Sequence, residues 1–325
     1  MPKVLVTGAT GFIGRAVVTA LLEDGYEVRA LVRPRSGDNL RDSGVSLWKG
    51  DLTVPSSLRG IAEGINAVCH IAGVLGSPNV DQKTYFRLNA EGTSHLLAEC
   101  LNRPIEKFIH CSTAGVMGSG GDPRRDESSE IHPGNAYECS KAEGEAHVLS
   151  FIEKHRFPAI ILRPGMVYGP GDMHHLGLYR AIKKKYFFLF GSGNSCLDPV
   201  FVNDVAGAFV KVLKADGNVG ETFLISGPRP VPVREFAETI ALSLGHQPSF
   251  LEIPVGLARA AAFVTVACSR FLPFKPILTP ARVKFLSETR SYSINKARQR
   301  LGYEPLELKE GIARTVSWYK SHGYL

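Results

Sequence analysis

The chain has 325 residues, 44% hydrophobic and 21% charged, an ordinary balance with room for one large domain or two unequal ones. Its formal charge of +7 comes with one short basic run, Lys183-Lys184-Lys185, which reads as a solvated face; with no aromatic-interleaved basic stripe, nucleic acid is not an expected partner, and an anionic cofactor suffices for the surplus. The 6 cysteines (69, 100, 111, 139, 196, 268) form no CxxC pair or framework, so reduced, mostly buried thiols and a cytoplasmic location are expected.

Met1-Pro2-Lys3 runs straight into Val4 to Thr7, which reads as a strand and not as a leader to be cleaved. A helical pattern follows over Gly14 to Asp24, then a strand over Glu27 to Val32 and strand-like residues Val45 to Trp48. Ala67 to Ile71, Lys107 to Cys111 and Ala159 to Leu162 are further strands, separated by helical stretches at Tyr85 to Leu101 and Tyr137 to Lys154. This alternation predicts βαβ units, a doubly wound parallel sheet, and a ligand at the carboxyl ends of its strands. Past Pro164 the pattern loosens, Gly and Pro become frequent, and Arg180 to Phe190 mixes basic with aromatic residues. Residues 1–167 are therefore expected to bind a dinucleotide, and 168–325 to form a smaller, mixed substrate domain. A helix over Val200 to Leu213 and a strand over Thr222 to Ile225 suggest that 198–226 returns to the first unit. His174-His175 reads as a pair of loop histidines, because adjacent residues share no helix face and no Glu-x-x-His accompanies them; no metal is expected. The apolar run Ala260 to Ser269 is fenced by Arg259 and Arg270 and falls short of the roughly 20 residues that span a bilayer. It reads as core, a pocket wall, or at most a surface anchor.

The first strand leads into Gly8-Ala9-Thr10-Gly11-Phe12-Ile13-Gly14, with a helix directly after it. Glycines there let the chain turn tightly and the backbone approach a pyrophosphate, while the helix N-terminus supplies N–H groups and the positive dipole end. This GxxGxxG spacing resembles that of extended short-chain dehydrogenases/reductases of the NAD-dependent epimerase/dehydratase family, and the likeness runs along nearly the whole chain. It implies a Rossmann-type fold and a nicotinamide dinucleotide held by Gly8, Thr10, Gly11, Phe12, Ile13 and Gly14. At the end of the second strand, where an NAD-preferring protein places an acidic residue, stand Val32 and Arg33. A guanidinium binds a ribose 2′-phosphate in bidentate fashion, so NADP(H) is favoured over NAD(H), with Ser36 adding a hydroxyl; alternatively Arg33 only solvates a strand end. Asp51-Leu52 resembles the family's adenine-contact pair, although Asp51 also suits a turn cap. Ile71-Ala72-Gly73 is similar to the small-residue segment beneath the cofactor.

Tyr137-Glu138-Cys139-Ser140-Lys141 places a phenol and an ammonium at i and i+4 on one helix face. A nearby cation favours the phenolate and brings a group of pKa about 10 toward useful acid/base range, and the lysine can also hold a ribose hydroxyl. Alone, this spacing is common on solvated helices. The resemblance adds Thr113, whose hydroxyl would bond the substrate oxygen; Ser112 competes, but neighbouring strand residues point to opposite faces. It also adds Asn89 as support for the proton relay, or else as a packing or capping residue. Pro164, Gly165 and Val167, in Arg163 to Asp172, match the segment that passes the nicotinamide.

Two enzyme classes share these motifs. Sugar-nucleotide epimerases and dehydratases commonly carry an arginine for the diphosphate where this chain has Leu197, before Asp198. Tyr26 to Arg33 and Leu47 to Leu52 resemble dihydroflavonol-reductase-type enzymes, and the tail with Ile253-Pro254, Leu257 to Leu272 and Asn295 to Tyr303 resembles 3β-hydroxysteroid-dehydrogenase-like proteins. The expectation is hydride transfer between NADP(H) and a secondary alcohol or ketone of a hydrophobic small molecule. Sugar-nucleotide epimerisation with retained cofactor is the alternative, and a non-catalytic NAD(P) sensor the third reading. A homodimer is a habit of the family.

Overall fold

The computed structural model describes residues 1–34, 40, 44–76, 80–120, 125–269 and 278–325. Ser36 lies outside the described residues. The chain opens with β1 (Lys3–Thr7), α1 (Phe12–Glu23), β2 (Glu27–Val32), β3 (Ser46–Lys49) and β4 (Ala67–His70). A continuous helix follows, with α2 (Gln82–Tyr85) and α3 (Gly92–Cys100) joined by a π-helical stretch at Phe86–Glu91. Next come β5 (Lys107–Cys111), α4 (Ala136–His155), β6 (Ala159–Pro164) and β7 (Met166–Tyr168). The remainder comprises α5 (Leu176–Lys183), β8 (Phe188–Phe190), β9 (Cys196–Leu197), β10 (Pro199–Phe201), α6 (Val202–Lys214) and β11 (Thr222–Ile225), then β12 (Val231–Pro232), α7 (Val233–Ser243), β13 (Leu251–Ile253), α8 (Val255–Cys268), α9 (Pro280–Ser287), α10 (Asn295–Leu301) and α11 (Leu308–Ser321).

Seven strands form one parallel sheet in the order β11-β6-β5-β4-β1-β2-β3, the expected Rossmann-type doubly wound arrangement. The near-continuous apolar runs of its strands suit a sheet covered on both faces. Val4 and Val6 face a layer containing Val17 of α1 and Val205 of α6, whereas Leu5 faces Leu96 of α3 and Val148 of α4. The chain builds outward from β1 in one direction and then from β4 in the other, so a crevice opens where Thr7 and His70 end adjacent strands. The helix expected to begin at Val200 begins at Val202, because Pro199–Phe201 is taken up as a strand against β7.

A third apolar cluster, with Tyr168, Tyr179, Phe236, Ile312 and Tyr319 among its members, joins α5, α7 and α11. Around it lie three small two-stranded sheets: β10 with β7, β12 with β9, and β13 with β8. The helix α8 packs through Ala258 and Ala262 onto Val283 of α9, and its other side faces outward. Among the described residues, no helix is long and apolar enough to cross a membrane.

Candidate active site

The first turn after β1 is shaped by backbone proximity. Gly8 has φ +71°, and a Cβ on it would stand 2.7 Å from the Ala72 amide nitrogen; one on Gly14 would stand 2.0 Å from the Gly8 carbonyl oxygen. Only glycine fits at either place. Gly11 donates to the Gly8 carbonyl (2.9 Å) and serves as N-cap of α1, with no side-chain cap and no acidic residue in the first turn. The leading N–H groups of α1 therefore have no side-chain acceptor of their own, which fits a phosphate-bearing ligand. Phe12 and Ile13 are half-buried, Ile13 on the core and the Phe12 ring 3.8 Å from where a Cβ on Gly171 would be. Thr10 gives its carbonyl to Arg15 Nε at 3.1 Å.

At the other side of the crevice, Arg33 is exposed at the end of β2. No acidic residue stands beside it in sequence, but the fold brings Asp51 within electrostatic reach. Burial pushes the Asp51 carboxyl up, yet the Thr53 amide and hydroxyl, with the Arg33 and Arg87 cations, outweigh it and hold it below its usual range. Asp51 Oδ1 accepts from the Thr53 amide and hydroxyl, both at 2.8 Å, a turn-capping geometry. Leu52 is buried among the sheet-facing residues of α3 and gives its carbonyl to His95 Nδ1.

A buried polar chain links the two strand ends to the helix beside them. Thr7 Oγ1 accepts from the Ile71 and Ala72 amides at 3.1 Å and lies 2.7 Å from His70 Nδ1; His70 Nε2 lies 2.9 Å from Thr93 Oγ1, which donates to the Asn89 carbonyl at 2.7 Å. Thr93 has one hydroxyl proton and spends it on Asn89, so His70 donates from Nε2 and accepts from Thr7 at Nδ1. Burial, reinforced by the Lys141 charge, pushes His70 down to about 3 and keeps the ring neutral.

The Asn89 side chain completes this chain. Its Oδ1 accepts from Val74 N (2.8 Å), and its Nδ2 donates to Val74 O (3.2 Å) and Ser140 Oγ (3.0 Å). Asn89 thus ties the Ile71-Ala72-Gly73 segment to α4, and a Cβ on Gly73 would stand 3.1 Å from Asn89 Oδ1. Asn89→Ala leaves the Val74 amide and the Ser140 hydroxyl short of a partner, at a cost of about 1–3 kcal/mol. A lowered denaturation midpoint is the expected reading; an unchanged one would show that the clamp carries no weight.

Tyr137 and Lys141 sit one turn apart at the start of α4, whose N-cap Asn135 accepts from Glu138 N. Tyr137 is half-buried, with its ring against Gly76 and edge-on to Tyr85. Lys141 is buried and donates to the Cys111 carbonyl at 2.6 Å, so it stands at the end of β5. Thr113 caps the short turn after β5, accepting from Gly115 N at 3.1 Å, and its hydroxyl interacts with Tyr137. Ser112 is buried behind it with no partner for its hydroxyl, as the alternation of faces predicts. The expected lowering of the phenol does not appear: burial pushes Tyr137 above its usual range, and the Thr113 hydrogen bond offsets only part of this. Burial therefore favours the neutral phenol over the phenolate. Burial likewise holds the Lys141 ammonium below its usual range.

Three features lie beyond sequence reading because they join distant segments. Arg163 at the end of β6 grips Glu145 of α4 in a buried bidentate pair, Nε to Oε1 at 2.9 Å and Nη2 to Oε2 at 2.6 Å. Arg290, after α9, donates to Glu138 Oε1 at 3.0 Å, next to Tyr137, while Glu138 Oε2 accepts from Gly134 N. Behind Pro164 and the half-buried Gly165, a Cβ on that glycine would stand 2.3 Å from the Asp198 carbonyl, while Val167 packs on the core. Asp198 itself is buried, and its carboxylate makes no well-formed hydrogen bond; burial pushes it up to about 7, offset only in part by the nearby Ser226 hydroxyl and Tyr292 amide. Because this folded value exceeds the unfolded one, the group costs stability as pH rises from about 4 to 7. Asp198→Asn is therefore expected to stabilise by on the order of 2 kcal/mol at pH 8 and by little at pH 4; thermal melts at both values test this, and an equal shift at both would refute it. His174 and His175 do sit in a loop, where Asp172 Oδ1 accepts from both amides and Oδ2 pairs with His175 Nδ1.

The chain is similar to several known proteins. The chain is 29% identical to the 3beta-hydroxysteroid-dehydrogenase/decarboxylase isoform 1 of Arabidopsis thaliana, over 96% of this chain and 78% of that protein. It is also 29% identical to the sterol-4-alpha-carboxylate 3-dehydrogenase, decarboxylating, of Mus musculus, over 97% of this chain and 90% of that protein. The crystal structure of gox2253 superposes over 100% of both chains with a TM-score of 0.85 at 27% identity. These likenesses are in line with the expected NAD(P)-dependent oxidoreductase. The model of the NAD dependent epimerase/dehydratase family matches residues 4–226, and the chain belongs to that family.

Proposed function

We propose that the chain catalyses reversible hydride transfer between NADP(H) and a secondary alcohol or ketone on a hydrophobic small molecule. The observation that carries this reading is the convergence of Tyr137, Thr113 and Lys141 at the end of β5, beside the crevice that the glycine loop opens. When bound, the nicotinamide supplies or takes up the hydride. Thr113 holds the substrate oxygen by its hydroxyl, and Tyr137 gives that oxygen a proton during ketone reduction or takes it back during alcohol oxidation. Lys141 holds the ribose and stabilises the phenolate once it forms. Gly8, Thr10, Gly11 and Gly14 with the α1 N-terminus receive the pyrophosphate, Phe12 and Ile13 flank it, and Pro164, Gly165 and Val167 line the nicotinamide end. Residues 1–167 with 198–226 serve as the cofactor unit, and 168–325 otherwise supplies the substrate side.

The names of the Arabidopsis and mouse relatives support a ring-bearing, apolar alcohol as the substrate class. So does Leu197, which is buried in the third apolar cluster where an arginine serves the diphosphate in sugar-nucleotide enzymes. The decisive assay follows NADPH oxidation over ketone, flavonoid, steroid and sugar-nucleotide panels. Activity confined to sugar nucleotides, with no net change in the cofactor, would replace this reading by epimerisation.

Arg33 supports the 2′-phosphate preference, with Ser36 as a second contact. Arg33→Glu is expected to raise the Michaelis constant for NADPH by about 10–100-fold, the loss of a charge-assisted pair worth roughly 1.5–3 kcal/mol, while that for NADH changes little. A wild-type enzyme with the lower constant for NADH would defeat the NADP(H) assignment.

A further inference from the structure

Among the described residues, nothing covers an apolar surface on the unit made by β8, β13, α8 and α9. On α8, Ala258 and Ala262 face inward, while Leu257, Phe263 and Val264 stand 63%, 66% and 61% exposed. The spacing of these outward residues, with Ala260 and Ala267 between them, makes one continuous helical face whose only charge is Arg259. Beside it, Leu251 of β13 pairs in register with Phe188 of β8, and both are exposed, at 65% and 41%. Large apolar side chains clustered on one small unit are unusual on a protein that meets only water.

The charge around this face is predominantly positive, and the acid within it, Glu252 of β13, is paired with Arg234. Lys183, Lys184 and Lys185, all exposed, lead through the half-exposed Tyr186 into β8. Among the described residues of α8 and α9, the charged side chains are Arg259, Arg282 and Lys284, all exposed. An apolar helical face with basic residues at its margins and an aromatic beside them suits the headgroup region of an anionic bilayer, and α8 is too short to cross it.

We propose that α8 with the β8–β13 edge docks this protein on the surface of an anionic lipid bilayer, with Leu257, Phe263 and Val264 entering the headgroup boundary and the lysine run held over the lipid charges. The basic run is then a membrane contact and not merely a solvated face. Such docking brings the substrate-side unit to the phase in which apolar alcohols and ketones concentrate, and it stands whether or not the proposed hydride transfer is correct.

Flotation of the full chain with vesicles tests this. One set contains phosphatidylcholine alone and the other about a third phosphatidylglycerol, a density of anionic lipid at which each nearby cation contributes about fivefold in partition. The wild type is expected to float with the anionic vesicles, to be released by about 0.5 M salt, and to bind the neutral set at least tenfold more weakly. Leu257→Glu/Phe263→Glu removes the apolar contact and is expected to abolish flotation. Both side chains are more than half exposed, so its thermal midpoint should match the wild type. Lys183→Gln/Lys184→Gln/Lys185→Gln should weaken binding to anionic vesicles by 10-fold or more, roughly, without touching α8. Absence of flotation, or equal flotation of the Glu variant with an unchanged fold, overturns the proposal. So does a wild-type dimer that the Glu variant dissociates while neither floats, which assigns the face to a second copy of the chain.

Discussion

Tyr137→Phe is expected to lower kcat by about 10²–10⁴-fold with an unchanged thermal midpoint, because it deletes one oxygen from a half-buried ring and leaves the ring's contacts with Gly76 and Tyr85 in place. The substrate constant should move far less, since the phenol acts on the proton while Thr113 still receives the oxygen. Lys141→Met is a different loss: it removes the donor to the Cys111 carbonyl inside a buried site and should impair both turnover and cofactor affinity. Steady-state rates on the best ketone from the panel, in both directions, separate the two variants. Undiminished turnover in Tyr137→Phe would refute the mechanism and leave the fold assignment untouched.

The second large effect is on stability. Arg163→Met leaves the Glu145 carboxylate fully buried with neither of its hydrogen bonds, and breaking such a pair costs about 3–5 kcal/mol. The pair joins β6 to the middle of α4, with β5 and β4 between it and the strand that leads into the glycine loop, so the loss should appear as global unfolding at lower urea. Arg163→Met/Glu145→Leu removes both charges and should recover much of the loss, because an apolar pair needs no desolvation of ions. Urea midpoints for the three proteins give the coupling directly. A double variant no more stable than the single one would mean that the pair matters through shape and not through charge.

A parallel consequence concerns the Arg290 contact with Glu138. Glu138 raises the Tyr137 phenol, and the guanidinium neutralises that carboxylate on the adjoining residue. Arg290→Gln should therefore move the pH at which alcohol oxidation gains its base upward, and Arg290→Gln/Glu138→Gln should move it back. A profile unchanged in the single variant would reduce the pair to a structural tie.

The sequence by itself carries every element of the main sheet through β6, because a parallel strand covered on both faces must be continuously apolar and each crossover helix must be amphipathic. It also carries the glycine loop, since Gly8 and Gly14 stand where backbone atoms would collide with any Cβ. Tyr137, Lys141, Thr113 and Asn89 are legible there only through their spacing and surroundings, as YxxxK occurs on many helices. Tertiary structure alone decided what these groups feel. The cation that spacing places beside the phenol is held by the Cys111 carbonyl, and burial moves the phenol in the opposite direction. The same holds for Arg33, which meets Asp51 across 18 residues of chain, for Arg290 and Glu138, which meet across 152, and for Asp198, whose buried carboxyl has no local signature. Periodicity reports which face of an element is apolar; electrostatics depends on distance in space and on the water excluded around each charge, and those quantities exist only once the chain has folded. The run from Ala260 to Ser269 illustrates the limit: its composition suits a core, a pocket wall or a surface anchor, and only the placement of Ala258 and Ala262 inward turns Phe263 and Val264 to the outside.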